Sequence, residues 1–315
     1  MTSFYQSSYG QFFFTEAMGS RIIQVHATNG QGSLLVQLSG GKGLSRFFTT
    51  KAVVWHGPAG APMPEAFDDM LTRLHEVIPW YTLFVQFRMA EERPELERPF
   101  RAHGYRHADR LNLLTPAGDT QTAWDQMSPS RRREVRRSQQ GGMTTSNRPT
   151  DEQVSAFYEL LRHRYRHRVR KPLPDLSFFR SFNTMTSDGS LPGCFIVCLW
   201  QGKVVGGIVC PMTPGETLYE LYVAGADQEL SKYHVYPSVM ATWTAITEAG
   251  RLGCHTFDFM GMGVPGKPYG VRDFKARFGG RWVNPGRWNK IYNPFLYHLT
   301  ELLYNLHHWL IVPWK

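Results

Sequence analysis

The order of predicted strands and helices is the feature that most limits how this chain can fold. Strands, a helix, another strand and another helix follow one another twice, once on each side of Gly141-Gly142. A glycine pair is a natural helix end and a candidate domain boundary, because glycine tolerates the left-handed backbone found there. No repeat is visible at the level of residues. The pattern therefore predicts an α/β (α+β) fold made of two similar units.

Hydrophobic spacing and turn residues predict the individual elements. Asn29-Gly30 is a strong hairpin signal between two short strands, 21–26 and 34–38. Apolar side chains share one face of residues 64–77, which predicts a helix. Further helices are predicted over 120–140, 151–169, 235–250 and 296–311, and further strands over 52–55, 83–87, 110–114, 194–199, 204–210, 217–223, 255–260 and from 282 onward.

Composition and charge define the broad class of protein. The chain has 315 residues, enough for about two domains. With 42% hydrophobic and 19% charged residues, it can bury a sizeable core. The net charge of +9 favours an anionic partner, which could be nucleic acid, a phosphorylated substrate or a membrane surface. Charge alone does not choose among them.

The four cysteines form no Cys-x-x-Cys pair, and we predict buried free thiols. Free thiols are typical of a reducing, cytoplasmic location. The first residues carry neither the basic nor the apolar region of a signal peptide, and no apolar stretch approaches the ~18 residues of a membrane-spanning helix. We also predict no metal site, because the spaced pair His163 and His167 is flanked by cations and lacks an HExxH glutamate.

The stretch Gly270–Gly280 is the strongest candidate site in the sequence. It follows a short strand and two glycines, Gly261 and Gly263, which let a backbone approach a ligand closely. Lys275 and the neighbouring arginines could meet an anionic group such as a phosphate. The alternative is a solvated basic loop whose two phenylalanines pack in the core.

Two further features have both a functional and a structural interpretation. Arginines are dense over 131–137 and again over 162–170, which suits a phosphate-rich partner but also a solvated helix face. Asp258 stands alone among apolar residues, so its carboxylate needs a partner or a raised pKa. It is either a structural acceptor or a catalytic base.

Several enzyme classes lose support because their motifs are missing. The sequence has no P-loop, no GxGxxG after a strand and no GxSxG. These absences disfavour a kinase, a dinucleotide-dependent enzyme and an α/β-hydrolase.

The order of several short motifs resembles the Fem family of peptidoglycan-bridge aminoacyltransferases, in an arm-less form. The likeness runs along nearly the whole chain. It rests on Phe4-Tyr5-Gln6-Ser7-Ser8, on Trp55-His56-Gly57-Pro58, on Arg131–Ser138 followed by Gly142, on Phe157–Leu161, and on Ala249–Phe259 followed by Phe274-Lys275 and Phe278-Gly279. The last of these is the most specific.

The resemblance implies two tandem GNAT-like acyltransferase domains. We expect them at 1–142 and 143–293, with a C-terminal amphipathic helix over 294–315. Family members transfer an aminoacyl group from charged tRNA to an amine of a peptidoglycan precursor, without a cofactor. The basic runs would then contact tRNA, and the final helix would contact the inner face of the membrane, where a lipid-linked acceptor lies.

The resemblance also implies roles for individual residues. Lys275 would lie beside the reacting groups, where an ammonium can stabilise an oxyanion or hold a phosphate. Asp258 is the second catalytic candidate, as proton acceptor. We assign substrate binding to Phe274, Arg272, Tyr222, Arg277 and Arg168, and tRNA phosphate contacts to Arg131, Arg132 and Arg136.

Two other functions remain open. The first is an N-acyltransferase that uses acyl-CoA on another amine; its usual pyrophosphate loop is rich in glycine, whereas residues 228–233 here contain none. The second is a non-catalytic RNA-binding or membrane-binding protein, which the basic runs alone would support.

Overall fold

A computed structural model describes residues 2–60, 62–169 and 173–311, without the side chains of Arg168 and of residues 304–311. The chain forms two compact units. The first combines Met1–Asp109 with Asn284–Lys315, and the second is Arg110–Val283. These bounds differ from the predicted boundary at 142, which falls inside the second unit. They also differ at the C-terminus, because the final helix belongs to the first unit.

The strands are β1 (Arg21–His26), β2 (Ser33–Ser39), β3 (Lys51–His56), β4 (Phe84–Met89), β5 (Arg106–Ala108), β6 (Asn112–Pro116), β7 (Thr144–Ser146), β8 (Gly193–Trp200), β9 (Lys203–Thr213), β10 (Thr217–Tyr219), β11 (Tyr222–Gly225), β12 (Thr256–Asp258), β13 (Arg281–Val283) and β14 (Arg287–Ile291). The α-helices are α1 (Ser8–Phe12), α2 (Arg46–Thr49), α3 (Pro64–Val77), α4 (Glu97–Ala102), α5 (Thr120–Gln126), α6 (Pro129–Gln140), α7 (Asp151–Arg164), α8 (Leu176–Ser187), α9 (Asp227–Leu230), α10 (Pro237–Arg251), α11 (Gly270–Ala276) and α12 (Pro294–Ile311).

The sheet of the first unit has the order β1-β2-β3-β4-β14-β5. Its neighbours are antiparallel except β3 and β4, which run parallel and are joined by α3. Apolar side chains of α3, such as Phe67 and Leu71, pack with Val54, Phe87 and Trp288 into one core. The predicted hairpin at Asn29-Gly30 and the predicted bounds of α3 are both confirmed.

The second unit repeats this arrangement with other strands. Its main path is β8-β9-β10-β12-β6-β13, preceded by β7 at the edge. Here β10 and β12 run parallel and α10 joins them, while the other neighbours are antiparallel. In each sheet the fifth strand along this path, β14 or β6, comes from a distant part of the chain. The two similar α/β units predicted from the sequence are therefore present, with non-local strands completing them.

The structure differs from three predicted elements. The helix predicted over 120–140 is two helices, α5 and α6, because the chain extends at Met127 and Ser128 before Pro129 starts α6. The strand predicted over 217–223 is divided into β10 and β11, which separate at Glu220 and Leu221. The strand predicted from 282 onward is also two strands, β13 and β14, one in each unit.

Candidate functional site

The division between β10 and β11 opens a gap in the sheet of the second unit. β10 pairs with β12 over three residue pairs and ends at Tyr219 opposite Asp258. Leu221 N then donates to Val209 O at 3.0 Å, so the chain has turned toward β9. Within the described part of the chain, β11 pairs with β9 and with no second strand. The parallel pair of the first unit, β3 and β4, instead stays paired over six residues.

Glu220 lies at the point where the two strands separate. Its backbone N–H donates to Asp258 O at 2.8 Å, which is the last backbone hydrogen bond from this segment to β12. The residue is 5% exposed, and Oε1 of its carboxylate lies 2.9 Å from Nζ of Lys275. The second oxygen, Oε2, is buried without a hydrogen-bond partner among the described residues. A buried carboxylate oxygen with no partner is costly and therefore marks a candidate reactive group.

Lys275 reaches this point from α11. Its ammonium donates to Phe259 O at 2.6 Å and Gly261 O at 3.1 Å, in addition to the Glu220 carboxylate. An ammonium has three N–H donors, and all three are used here. The residue is 7% exposed. Lys275 therefore links the segment that follows β12 to Glu220, between β10 and β11. To contact an oxyanion directly, its ammonium would have to give up one of these three acceptors.

Asp258 is buried at the end of β12 and organises the turn that follows. Its Oδ1 accepts from Asn112 Nδ2 at 2.7 Å and from Met260 N at 2.6 Å. The second bond holds Met260 at φ 56°, a left-handed conformation that a non-glycine residue adopts only when its surroundings impose it. Burial raises the pKa of the Asp258 carboxyl, while the hydrogen bonds and Lys275 lower it. Asp258 thus has a structural role, and its raised pKa leaves proton transfer open to it.

Arg131 does not lie at the surface, where the tRNA contact is expected. It is 3% exposed and donates to Phe274 O at 2.8 Å and to Glu134 at 2.5 Å. Its guanidinium also lies 4.5 Å and 4.6 Å from the ring centroids of Phe274 and Phe278. Arg131 therefore fixes the end of α11 that carries Lys275, because it binds a carbonyl and both aromatic rings at once.

The other predicted substrate-binding residues do not share one location. Arg272 donates to the carbonyls of Met262, Val264 and Lys267, so its guanidinium closes the loop before α11. Arg277 is exposed just after α11. The ring of Tyr222 lies 5.3 Å from that of Phe179, and burial raises the pKa of its hydroxyl. The side chain of Arg168 lies outside the described part of the chain.

Helix α6 presents the other arginines to solvent. Arg133, Arg136 and Arg137 are exposed, and Arg132 is half-buried beside Asp125. The guanidinium of Arg136 lies 5.1 Å from the ring centroid of Trp124. These four residues, here called the α6 basic face, carry four positive charges within about two helical turns. The predicted phosphate-contact residues Arg132 and Arg136 belong to it.

The N-terminus of α10 already holds a negative charge. Asp227 Oδ1 accepts from Ser238 N at 3.0 Å, and Asp227 Oδ2 accepts from the Ser238 hydroxyl at 2.5 Å. Burial raises the pKa of this carboxyl, while the bonds from Ser238 lower it. A helix N-terminus is a ready binding place for a phosphate group, because its N–H groups point outward. Here an aspartate carboxylate occupies it.

Two residues of this site were missed by the sequence analysis, namely Glu220 and Asn112. Asn112 donates to Asp258 and accepts from Gly261 N at 2.7 Å, so it links β6 to the turn after β12. A signal for Glu220 was present, because it is a lone carboxylate in the apolar run 217–223. No local pattern marks Asn112, whose partners are about 150 residues away in the chain.

No group of three or more metal-binding side chains that could hold an ion occurs in the described residues. All four cysteines are buried with free thiols, as predicted. No described helix is long and apolar enough to cross a membrane.

Comparison with known proteins shows what most of the second unit is similar to. Residues 129–276 match the family described as acetyltransferase (GNAT) domain. This part of the chain therefore resembles a GNAT acyltransferase domain. This match includes α6, the gap beside β11 and all of α11. No curated protein matches the chain significantly in sequence.

Solved structures extend the likeness in fold to nearly the whole chain. FemX covers 94% of this chain and 94% of its own length, with a TM-score of 0.71 and 15% identity. The C-terminal domain of a putative lysylphosphatidylglycerol synthetase from Agrobacterium fabrum covers 96% and 92%, with a TM-score of 0.58 and 13% identity. A tandem GNAT protein from the clavulanic acid biosynthesis pathway covers 87% and 84%, with a TM-score of 0.53 and 12% identity. The predicted Fem-like fold of tandem GNAT units is thereby confirmed.

Proposed function

We propose that this GNAT protein is an aminoacyltransferase, which moves an aminoacyl group from charged tRNA to an amine of a peptidoglycan precursor without a cofactor. The observation that carries the proposal is the gap beside β11, closed at its base by Glu220 and Lys275. The unpaired edge of a strand can bind an extended ligand through backbone hydrogen bonds. The gap occurs in the second unit, where the GNAT match lies.

The chemistry of this reaction needs a proton acceptor more than a strong acid. The acceptor amine attacks the ester carbonyl of the aminoacyl group, a C–N bond forms, and the C–O bond to the tRNA ribose breaks. The attacking nitrogen must lose a proton, and the leaving ribose oxygen must gain one. We assign the first transfer to Glu220, because its Oε2 is buried at the base of the gap without a partner in the described part of the chain. The protonated carboxyl would then return this proton to the leaving ribose oxygen.

Lys275 and Asp258 would support this carboxylate rather than replace it. The ammonium of Lys275 lies 2.9 Å from Glu220 Oε1 and fixes its orientation. When the tetrahedral intermediate forms, a shift of the ammonium away from a backbone carbonyl would bring positive charge to the oxyanion. Asp258 holds the turn whose carbonyls bind Lys275, so its role here is positioning. Phe274, Tyr222, Arg272 and Arg277 are retained as candidates that shape the site.

The tRNA donor would bind along the α6 basic face. Its exposed arginines can grip phosphate oxygens and release counterions, which gives affinity without sequence readout. Arg131 is excluded from this surface by its burial. The acceptor is a precursor carrying a free amine, and we place the reaction in the cytoplasm. Residues 294–315 would provide a peripheral contact with the inner face of the membrane if the acceptor is lipid-linked.

An acyl-CoA donor is the second candidate, because the matched domain is described as an acetyltransferase. The carboxylate of Asp227 disfavours an acyl-CoA donor. It caps the N-terminus of α10 through Ser238, where a CoA pyrophosphate would meet a negative charge in place of free N–H groups.

Mass spectrometry of the acceptor separates these functions. The protein is incubated with a peptidoglycan precursor and either a pool of charged tRNAs or acetyl-CoA, and heat-denatured protein is the control. We expect a mass gain of one amino-acid residue with charged tRNA, and no gain after RNase treatment. A gain with acetyl-CoA would support the second candidate instead. Binding of tRNA without a gain from either donor would favour a non-catalytic RNA-binding protein.

A further inference from the structure

Two arginines face each other across neighbouring strands of the first unit. Arg88 on β4 is directly opposite Arg287 on β14. The adjacent residues Phe87 and Trp288 pack into the core with α3. Because side chains alternate along a strand, the two arginines project from the opposite face of the sheet. Like charges directly opposite each other on a sheet repel.

The surroundings of Arg88 hold its guanidinium in one orientation. Nε donates to Gln86 Oε1 at 2.8 Å, and Gln86 is itself fixed by a bond from its Nε2 to Asn289 Oδ1 at 2.7 Å. The guanidinium carbon lies 4.0 Å from the ring centroid of Trp55, which is opposite Arg88 on β3. The guanidinium is thus fixed at Nε and by one aromatic face.

The other two nitrogens of this guanidinium have no partner among the described residues. Nη1 and Nη2 of Arg88 make no hydrogen bond to any residue that the structure describes, and no described carboxylate lies within 4 Å. Burial lowers the pKa of Arg88 to about 9, with the charge of Arg287 as the second cause. The group therefore stays charged at neutral pH. A desolvated cation without a counter-charge is expensive, and an arginine kept in this state needs an explanation.

We propose that Arg88 and Arg287 form a binding site for a phosphoryl group on the first unit. The free Nη1–Nη2 edge of Arg88 matches two oxygens of a phosphate, which is the pairing that a planar guanidinium makes best. A second cation directly opposite favours a group with more than one negative charge. Trp55 and Gln86 fix the guanidinium before the ligand arrives, which lowers the entropic cost of binding.

This site does not depend on the proposed transfer reaction. It uses residues of the first unit alone, and its binding can be measured without an acyl donor or an acceptor. If phosphate does not bind here, the function assigned to Glu220 is unaffected. If Glu220 proves not to be catalytic, the phosphate site is equally unaffected.

The test uses thermal unfolding and calorimetric titration of the full chain with inorganic phosphate, pyrophosphate and acetate. Sodium chloride at the same ionic strength is the reference. We expect phosphate and pyrophosphate, but not acetate, to raise the Tm. Arg88→Met should abolish this rise and weaken pyrophosphate binding by at least about tenfold. Arg73→Met, which removes an exposed arginine paired with Asp69, should keep it.

A second readout distinguishes a ligand site from a structural arginine. In chloride alone, Arg88→Met should have a Tm equal to or above that of the unchanged protein, because it removes one of two opposed charges. A lower Tm in chloride, or a phosphate effect that survives Arg88→Met, would overturn the proposal. So would an acetate effect as large as that of phosphate. If Arg88→Met does not fold, Arg88→Lys keeps the charge and should still bind about tenfold more weakly, because it lacks the two-nitrogen edge.

Discussion

Replacement of Lys275 by methionine should damage the stability of the second unit severely. Methionine keeps the length and apolar stem of lysine but removes three donated hydrogen bonds. The change leaves the Glu220 carboxylate, 5% exposed, without its counter-charge. It also leaves two backbone carbonyls, of Phe259 and Gly261, without the donor that they share.

The magnitude follows from these contacts. Removal of one member of a buried ion pair costs about 3–5 kcal/mol. The two carbonyls belong to the same network, so their cost overlaps with this figure and is not added to it. We expect Lys275→Met to lower the free energy of unfolding by about 4 kcal/mol. The double variant Lys275→Met/Glu220→Met should recover about 2 kcal/mol, since only the unpaired carbonyls remain.

Hydrogen exchange measured by mass spectrometry on peptides from 256–279 is the appropriate assay, because two units need not unfold together. Lys267→Met is the matched control, since Lys267 is exposed in the same loop, and it should change stability by less than about 0.5 kcal/mol. If Lys275→Met lowers the free energy of unfolding by less than about 1 kcal/mol, Lys275 and Glu220 do not form a buried structural pair, because loss of a solvated ion pair has an effect of that size. A double variant no more stable than the single one would refute the charge argument.

Three further predictions concern Arg131, Asp258 and His75. Arg131→Met should lower the free energy of unfolding in urea by about 2–3 kcal/mol, because the hydrogen bonds to Phe274 and Glu134 are lost. Arg133→Met should leave stability unchanged but reduce the slope of log tRNA affinity against log salt by about 0.7–0.9. Equal effects of the two variants on stability would contradict the burial of Arg131. The raised pKa of Asp258 means that its carboxyl binds the proton more tightly in the folded state, so stability should fall as pH rises from the unfolded pKa of about 3.9 through the folded pKa. Asp258→Asn should remove this loss of stability. Urea midpoints that do not change between pH 4 and 8 in either protein would contradict this prediction. His75 has a pKa lowered to about 4 by burial and then by Lys290 and His103, so stability should fall as pH falls from about 6.5 toward 4, where the unfolded state binds the proton first. Lys290→Met should raise the His75 pKa in an NMR titration, and an unchanged value would exclude Lys290 as a cause.

Local features of the sequence predicted local structure well. The bounds of α3 follow from apolar spacing and Pro64, and the β1–β2 hairpin follows from Asn29-Gly30. The phenylalanines around Lys275 pack as the structural alternative for that stretch suggested: Phe278 is buried and Phe274 lies partly buried beside it.

Features that depend on distant pairing were beyond reach. The unit boundary was expected at Gly142, whereas β6 joins the sheet of the second unit and β14 that of the first. Which sheet a short strand joins is decided by long-range packing, and β-propensity does not carry that information. The burial of Arg131 is hidden for the same reason, because its partners Phe274 and Phe278 are more than 140 residues away. Glu220 becomes a candidate site residue only because β10 and β11 separate beside it, which the sequence does not show.

The rate of aminoacyl transfer by the Glu220→Gln protein shows whether Glu220 accepts the proton of the attacking amine. Glutamine keeps the shape of the side chain and an oxygen to accept from Lys275, but it cannot take a proton. Under single-turnover conditions with charged tRNA and a peptidoglycan precursor, we expect a rate lower by about 10²–10⁴-fold with near-normal tRNA affinity. A folded Glu220→Gln protein that transfers at the unchanged rate would contradict the assignment of the reaction to the gap beside β11.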